Sequence, residues 1–99
     1  MKIEDWRAEI DEIDNELLRL LNRRAQLASE VGFLKRRAGS PIHDSCRDSE
    51  VIGRVCQANA GPLGEGAVAR LFRHIIRESK RVEEQAVEKL SEQNDRVMR

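Results

Sequence analysis

Residues 3–37 read IEDWRAEIDEIDNELLRLLNRRAQLASEVGFLKRR, and the spacing of their apolar members decides the fold. Ile3, Trp6, Ile10, Ile13, Leu17, Leu20, Leu27, Val31 and Leu34 recur mostly at steps of three and four, a heptad seam on one helix face. No proline interrupts the stretch and Gly32 is its one glycine, while Gly39-Ser40-Pro41 supplies a helix stop. The pattern predicts a single helix over about residues 3–37. At 1.5 Å per residue it is about 50 Å long, whereas a compact 100-residue globule spans only about 33 Å. The rest of a 99-residue chain cannot cover its far end. The seam therefore predicts a second copy, with long helices intertwined in a closed homodimer. A helix bent or broken near Gly32 is the plainer alternative.

Beyond the breaker, Asp44 suits the N-cap of a second helix reaching about residue 57, with Asp48 and Glu50 in its first turns. Residues 58–66 hold three glycines and a proline and are expected as a loop. A third helix follows to about residue 90, with Val68, Phe72, Ile75, Ile76, Val82 and Ala86 on its buried side. Residues 91–99 are polar and are expected to fray. The expected organisation is all-α: one helical domain over residues 1–90, three helices per chain, and six in the dimeric bundle.

Composition narrows the function. Eighteen Lys plus Arg balance eighteen Asp plus Glu, so there is no global basic field for nucleic acid. Aromatic residues make up only 3%, so the core must be aliphatic. No run approaches the roughly 20 apolar residues of a membrane span, and the opening MKIEDWRAEIDEID lacks an apolar signal region. The expected setting is the cytoplasm. Cys46 and Cys56 lie about 15 Å apart along one short helix, too far for a disulfide. Without CxxC or clustered histidines no metal site is expected, and His43 and His74 read as ordinary surface or groove residues. The segment AGPLGEG has no strand before it and no GK[ST] after it, so it is not a phosphate cradle.

The informative residues are charges on the apolar faces. Continued past Leu20, the seam count falls on Arg24, while Arg7 and Lys35 directly follow the seam residues Trp6 and Leu34. Arg24 and Lys35 face the same way about 16 Å apart, and two long side chains leaning together can hold a small anion. Arg7 lies about 25 Å from Arg24 along the helix, out of reach within one chain. Across an antiparallel dimer seam, Arg7 of one copy can approach Arg24 and Lys35 of the other, a composite site suited to a dicarboxylate. On the third helix, Ser79 and Glu83 stack four residues apart on the otherwise apolar stripe. In the first turn of the second helix, Arg47 and Asp48 sit where exposed N–H groups favour an anionic or hydroxyl-bearing ligand. The plainer reading of each remains open: snorkelling for Arg7 and Lys35, and a bundle carboxylate for Arg24. For Ser79 it is close helix contact, for Glu83 an ion pair or solvent, and for Arg47 and Asp48 plain solvation.

Together these residues resemble the all-helical chorismate mutase family. The matching pieces are WRAEIDEIDNELLRLLNRR, LASEVGFLK, PIHDSCRD and LFRHIIRESKRVEEQ, which span roughly residues 3–88. The ordered set Arg, Arg, Lys, Asp-x-x-Arg and Ser-x-x-x-Glu is far more specific than any one piece. The resemblance implies an intertwined dimer with two active sites that rearrange chorismate to prephenate in aromatic amino-acid biosynthesis, without metal or cofactor. It implies that Arg7, supplied by the partner, and Ser79 bind the ring carboxylate. Arg24 binds the carboxylate of the enolpyruvyl side chain, and Lys35 touches that carboxylate and the ether oxygen. Asp44 starts the second helix where the family binds the ring hydroxyl, and Arg47 supports it. Asp48 stands where the family often has glutamate on that hydroxyl, one methylene shorter. Glu83 occupies the ether-oxygen position, which is glutamine in some members.

A carboxylate cannot donate a hydrogen bond, so a role for Glu83 at the ether oxygen requires the protonated acid and activity favouring mildly acidic pH. Two rivals use the same scaffold: isochorismate-pyruvate lyase and mutase action on an amino-chorismate. A third is a non-enzymatic helical dimerisation module, which explains the seam but not its interruption by Arg24, nor Ser79 and Glu83 on the third helix. With no residues left for a ligand-sensing domain, feedback control is expected to need a regulatory partner protein.

Overall fold

The computed structural model describes residues 1–98, and among these are three α-helices and no strand. Helix α1 spans Ile3–Ala38, α2 Ser45–Ala58 and α3 Glu65–Met98. α1 is one continuous helix, not broken at Gly32. At its start the Asp5 carboxylate accepts the Lys2 backbone N–H at 2.9 Å. At its end Gly39 takes the left-handed conformation, φ +68°, which glycine adopts without a Cβ clash. There the Gly39 N–H bonds to the Arg36 carbonyl at 3.1 Å and the Ser40 N–H to that of Lys35 at 2.8 Å, closing a Schellman motif. Acidic residues in the first turn and Lys35, Arg36 and Arg37 in the last complement the helix dipole.

The expected cap of α2 is present: the Asp44 side chain accepts the Arg47 backbone N–H at 3.0 Å. The third helix runs past its expected end near residue 90. α3 continues to Met98, because residues 91–98 contain no glycine or proline and polarity alone does not break a helix. Arg99, the last residue of the expected tail, lies outside the described residues.

α1 and α2 each pack on α3. Among the described residues the buried apolar side chains come from α2 and α3: Val51, Val68, Ala69 and Ile76. The α1 seam is left open, with Trp6 53% and Leu34 62% exposed and Ile10, Ile13, Leu17 and Leu20 likewise uncovered. The chain extends 64 × 30 × 14 Å with a radius of gyration of 17.7 Å, against about 13 Å for a compact domain of 100 residues. Its accessible surface is 8144 Å², whereas a compact monomer of this mass exposes about 5,800 Å². No helix among the described residues is long and apolar enough to cross a membrane. Cys46 and Cys56 are free thiols on α2.

Candidate active site

Two cross-links between α1 and α3 form the floor of a cavity. The Arg24 guanidinium donates to Ser79 Oγ, and that hydroxyl donates onward to the Ile75 carbonyl at 3.0 Å. One turn further along α3, Lys35 Nζ meets Glu83 Oε2 at 3.3 Å and donates to the Ile42 carbonyl at 2.8 Å. The two cations leave α1 about 16 Å apart, yet their partners on α3 are only about 6 Å apart along the axis, so the long side chains converge. Ser79 and Glu83 are 8% and 7% exposed, and both are buried polar groups with partners. Removing one partner of such a buried ion pair typically costs about 3–5 kcal/mol, so Lys35 and Glu83 hold each other in place.

Gly32 allows this close approach. A Cβ at Gly32 would lie 3.2 Å from Glu83 Cβ and 3.3 Å from its Cα and carbonyl oxygen. The glycine therefore lets the α1 backbone settle directly on α3 beside the acid.

The first turn of α2 supplies the opposite wall. Asp44, Arg47 and Asp48 line a cavity of about 320 Å³ together with Arg24, Lys35, Ser79 and Glu83. Leu27, Ala28, Val31, Ile42, Val51 and Ile76 give it apolar surface, so it suits a small molecule that is part hydrocarbon and part charged. Asp44 is occupied as the α2 cap, and the exposed Arg47 guanidinium pairs with Glu50 at 2.5 Å. Asp48 forms an ion pair with Lys80 of α3. His43 lies 3.0 Å from Glu84, a contact between the α1–α2 segment and α3.

Seven of the eight predicted site residues thus meet in one cavity; Arg7 does not. It is exposed in the first turns of α1, seventeen residues and about 25 Å before Arg24. Sequence reasoning missed Lys80, Gly32 and the Ile42 carbonyl. Lys80 had a signal available, since Ile76, Ser79, Lys80 and Glu83 fall on one face of α3 at steps of three, one and three.

The cations here have unequal freedom. Lys35, Arg47 and Lys80 each pair with a carboxylate, whereas Arg24, half-buried, donates to a neutral hydroxyl. Its charge is the one in the cavity that no carboxylate among the described residues neutralises. Such a group binds an incoming carboxylate in bidentate fashion.

Comparison with known proteins agrees with this arrangement. The family model described as chorismate mutase type II matches residues 6–84. A chorismate mutase from Methanocaldococcus jannaschii is 30% identical over 96 residues, covering 94% of this chain and 95% of that protein. A bifunctional chorismate mutase/prephenate dehydratase from Aquifex aeolicus is 38% identical over 79 residues, or 76% of this chain. The match spans only 22% of that longer relative's length. Among solved structures, the Helicobacter pylori chorismate mutase in complex with prephenate superposes with a TM-score of 0.80 and 30% identity, covering 87% of this chain and 93% of that one. Form II of the Thermus thermophilus chorismate mutase gives a TM-score of 0.83 and 33% identity, covering 85% of this chain and 96% of the other. With its model matched over most of the sequence, the chain belongs to the type II chorismate mutase family.

Proposed function

We propose that this chain is a chorismate mutase subunit that converts chorismate to prephenate by a Claisen rearrangement. The single observation that carries the reading is the unneutralised Arg24 guanidinium beside the Lys35–Glu83 pair in a part-apolar cavity. The rearrangement makes and breaks its bonds within one molecule. It needs a flexible dianion held in a compact near-attack conformer and hydrogen-bond donors aimed at the ether oxygen, where negative charge grows. Arg24 fixes the side-chain carboxylate. Lys35 donates to the ether oxygen, Glu83 stands paired beside it and can donate there only as the neutral acid, and Ser79 stands beside the ring carboxylate. Losing one such preorganised donor typically costs about 3–4 kcal/mol of transition-state stabilisation. Asp44, Arg47 and Asp48 form the wall that takes the ring hydroxyl.

A dianion needs a second anchor, and the cavity of one chain offers one unneutralised guanidinium. Arg7 of a second copy fills that need in this reading. The open α1 seam supports it, as does an excess of roughly 2,400 Å² of surface over a compact monomer, the scale of an obligate interface. The active unit is then an intertwined homodimer of two shared sites, with residues 1–90 of each chain as the catalytic domain. Its two free thiols suit the cytoplasm.

The test is direct. Purified protein is incubated with chorismate while the diene absorbance is followed and the products are separated. Loss of absorbance with formation of prephenate is expected. Release of pyruvate, or no consumption of chorismate, overturns the reading.

A further inference from the structure

We propose that Lys80 is a specificity-determining residue, because its ion pair with Asp48 neutralises that carboxylate on the α2 wall of the cavity and selects an uncharged hydroxyl over an ammonium on the substrate ring. The proposal rests on the reading of the cavity as a chorismate site. Lys80 follows Ser79 on α3, Asp48 lies in the first turn of α2, and both line the cavity. Their side chains are only 20% and 26% exposed, so solvent screens the pair far less than a surface pair.

The placement has a chemical consequence. In this reading the two substrate carboxylates go to Arg24 and to the Arg7 of a second copy, and the ether oxygen goes to Lys35 and Glu83. The polar group left over is the ring substituent, and the polar surface left over is the wall of Asp44, Arg47, Asp48 and Lys80, in which Arg47 is paired with Glu50. Asp44 is already bonded to the Arg47 N–H. Asp48 bonds Lys80 through Oδ2, which leaves Oδ1 as the acceptor. A hydroxyl can donate to that oxygen without disturbing the pair. An ammonium there must compete with the Lys80 ammonium for one carboxylate and would stand beside a like charge. That repulsion is how a site rejects a near-isostere. Without Lys80 the wall carries an unpaired carboxylate and attracts the cation instead.

The experiment compares kcat/KM for chorismate with kcat/KM for 4-amino-4-deoxychorismate, whose ring carries an amine in place of the hydroxyl. It uses the wild type, Lys80→Met and Lys80→Arg. Lys80→Met should raise the amino-to-hydroxy ratio by at least about tenfold, while Lys80→Arg should keep it within about threefold of wild type. A ratio in Lys80→Met that stays within threefold of wild type overturns the proposal. Asp48→Asn supplies the second arm. It leaves Lys80 unpaired and should lower the ratio; an unchanged or higher ratio counts against the proposal. A merely structural pair would reduce both substrates together and leave the ratio fixed. Failure of the underlying reading looks different, since the wild type would then consume neither compound.

Discussion

The Gly32 backbone of α1 lies directly on Glu83 of α3, so close that an added methyl group would stand 3.2 Å from the Glu83 Cβ. The residue with no side chain and the buried acid of the cavity are thus neighbours across the interface that builds the floor.

Substituting Gly32→Ala should therefore affect activity more than stability. Alanine gains about 1 kcal/mol of helix propensity over glycine, while overpacking typically costs about 1–3 kcal/mol, so the net stability change is small. The displacement of Glu83, however, acts on reacting groups, where a shift of about 1 Å can cost 100-fold. The expected result is a drop in kcat/KM of at least about tenfold with a melting temperature within a few degrees of wild type. Kinetics beside thermal denaturation checks this. Full activity would mean that α1 moves freely over α3.

Glu83 can assist the ether oxygen only as the neutral acid, because an ionised carboxylate has no proton to give. In Glu83→Gln the amide donates without needing that proton, so the variant should keep at least the wild-type kcat/KM, whereas Glu83→Ala should lose about 100-fold or more. Kinetics of the two variants under one condition is the check; a Glu83→Gln variant as inactive as Glu83→Ala removes Glu83 from the ether oxygen.

The open seam predicts its own disruption. Ile13 and Leu17 are 58% and 50% exposed in the single chain, and burial against a second copy would remove that surface from water. Ile13→Asp with Leu17→Asp puts two charges where the partner helix should lie. The mass by light scattering should fall from about 23 kDa for the wild-type dimer to that of one chain, with activity lost. A variant that stays dimeric and active would place the interface elsewhere.

The bounds of α1 were legible because the heptad count, the absence of proline and the Gly39 stop agree, and Asp44 announced the start of α2 in the same way. The end of α3 was not, since polar residues in 91–98 look alike whether helical or frayed. In the cavity, Arg24, Ser79 and Glu83 stood out because each interrupts an apolar stripe. Lys80 did not: a lysine flanking such a stripe looks solvated, and its partner Asp48 is 32 residues away on another helix. Periodicity places a side chain on a face but says nothing of what the neighbouring helix presents. Gly32 carried the same ambiguity, since a lone glycine in a helical pattern signals a break as readily as a close approach. Arg7 is the reverse case. Its distance from Arg24 was readable from the helix rise alone, and it is this distance that points to a second chain.

The central claim is that each site joins Arg24 of one chain to Arg7 of another, and subunit mixing tests it most directly. Arg7→Ala and Arg24→Ala homodimers should each be nearly inactive while remaining helical. After exchange of equal amounts, half of the dimers should be heterodimers carrying one intact site of two. About a quarter of the wild-type chorismate mutase activity should then return. No recovery after exchange has been verified by mass would contradict the shared site.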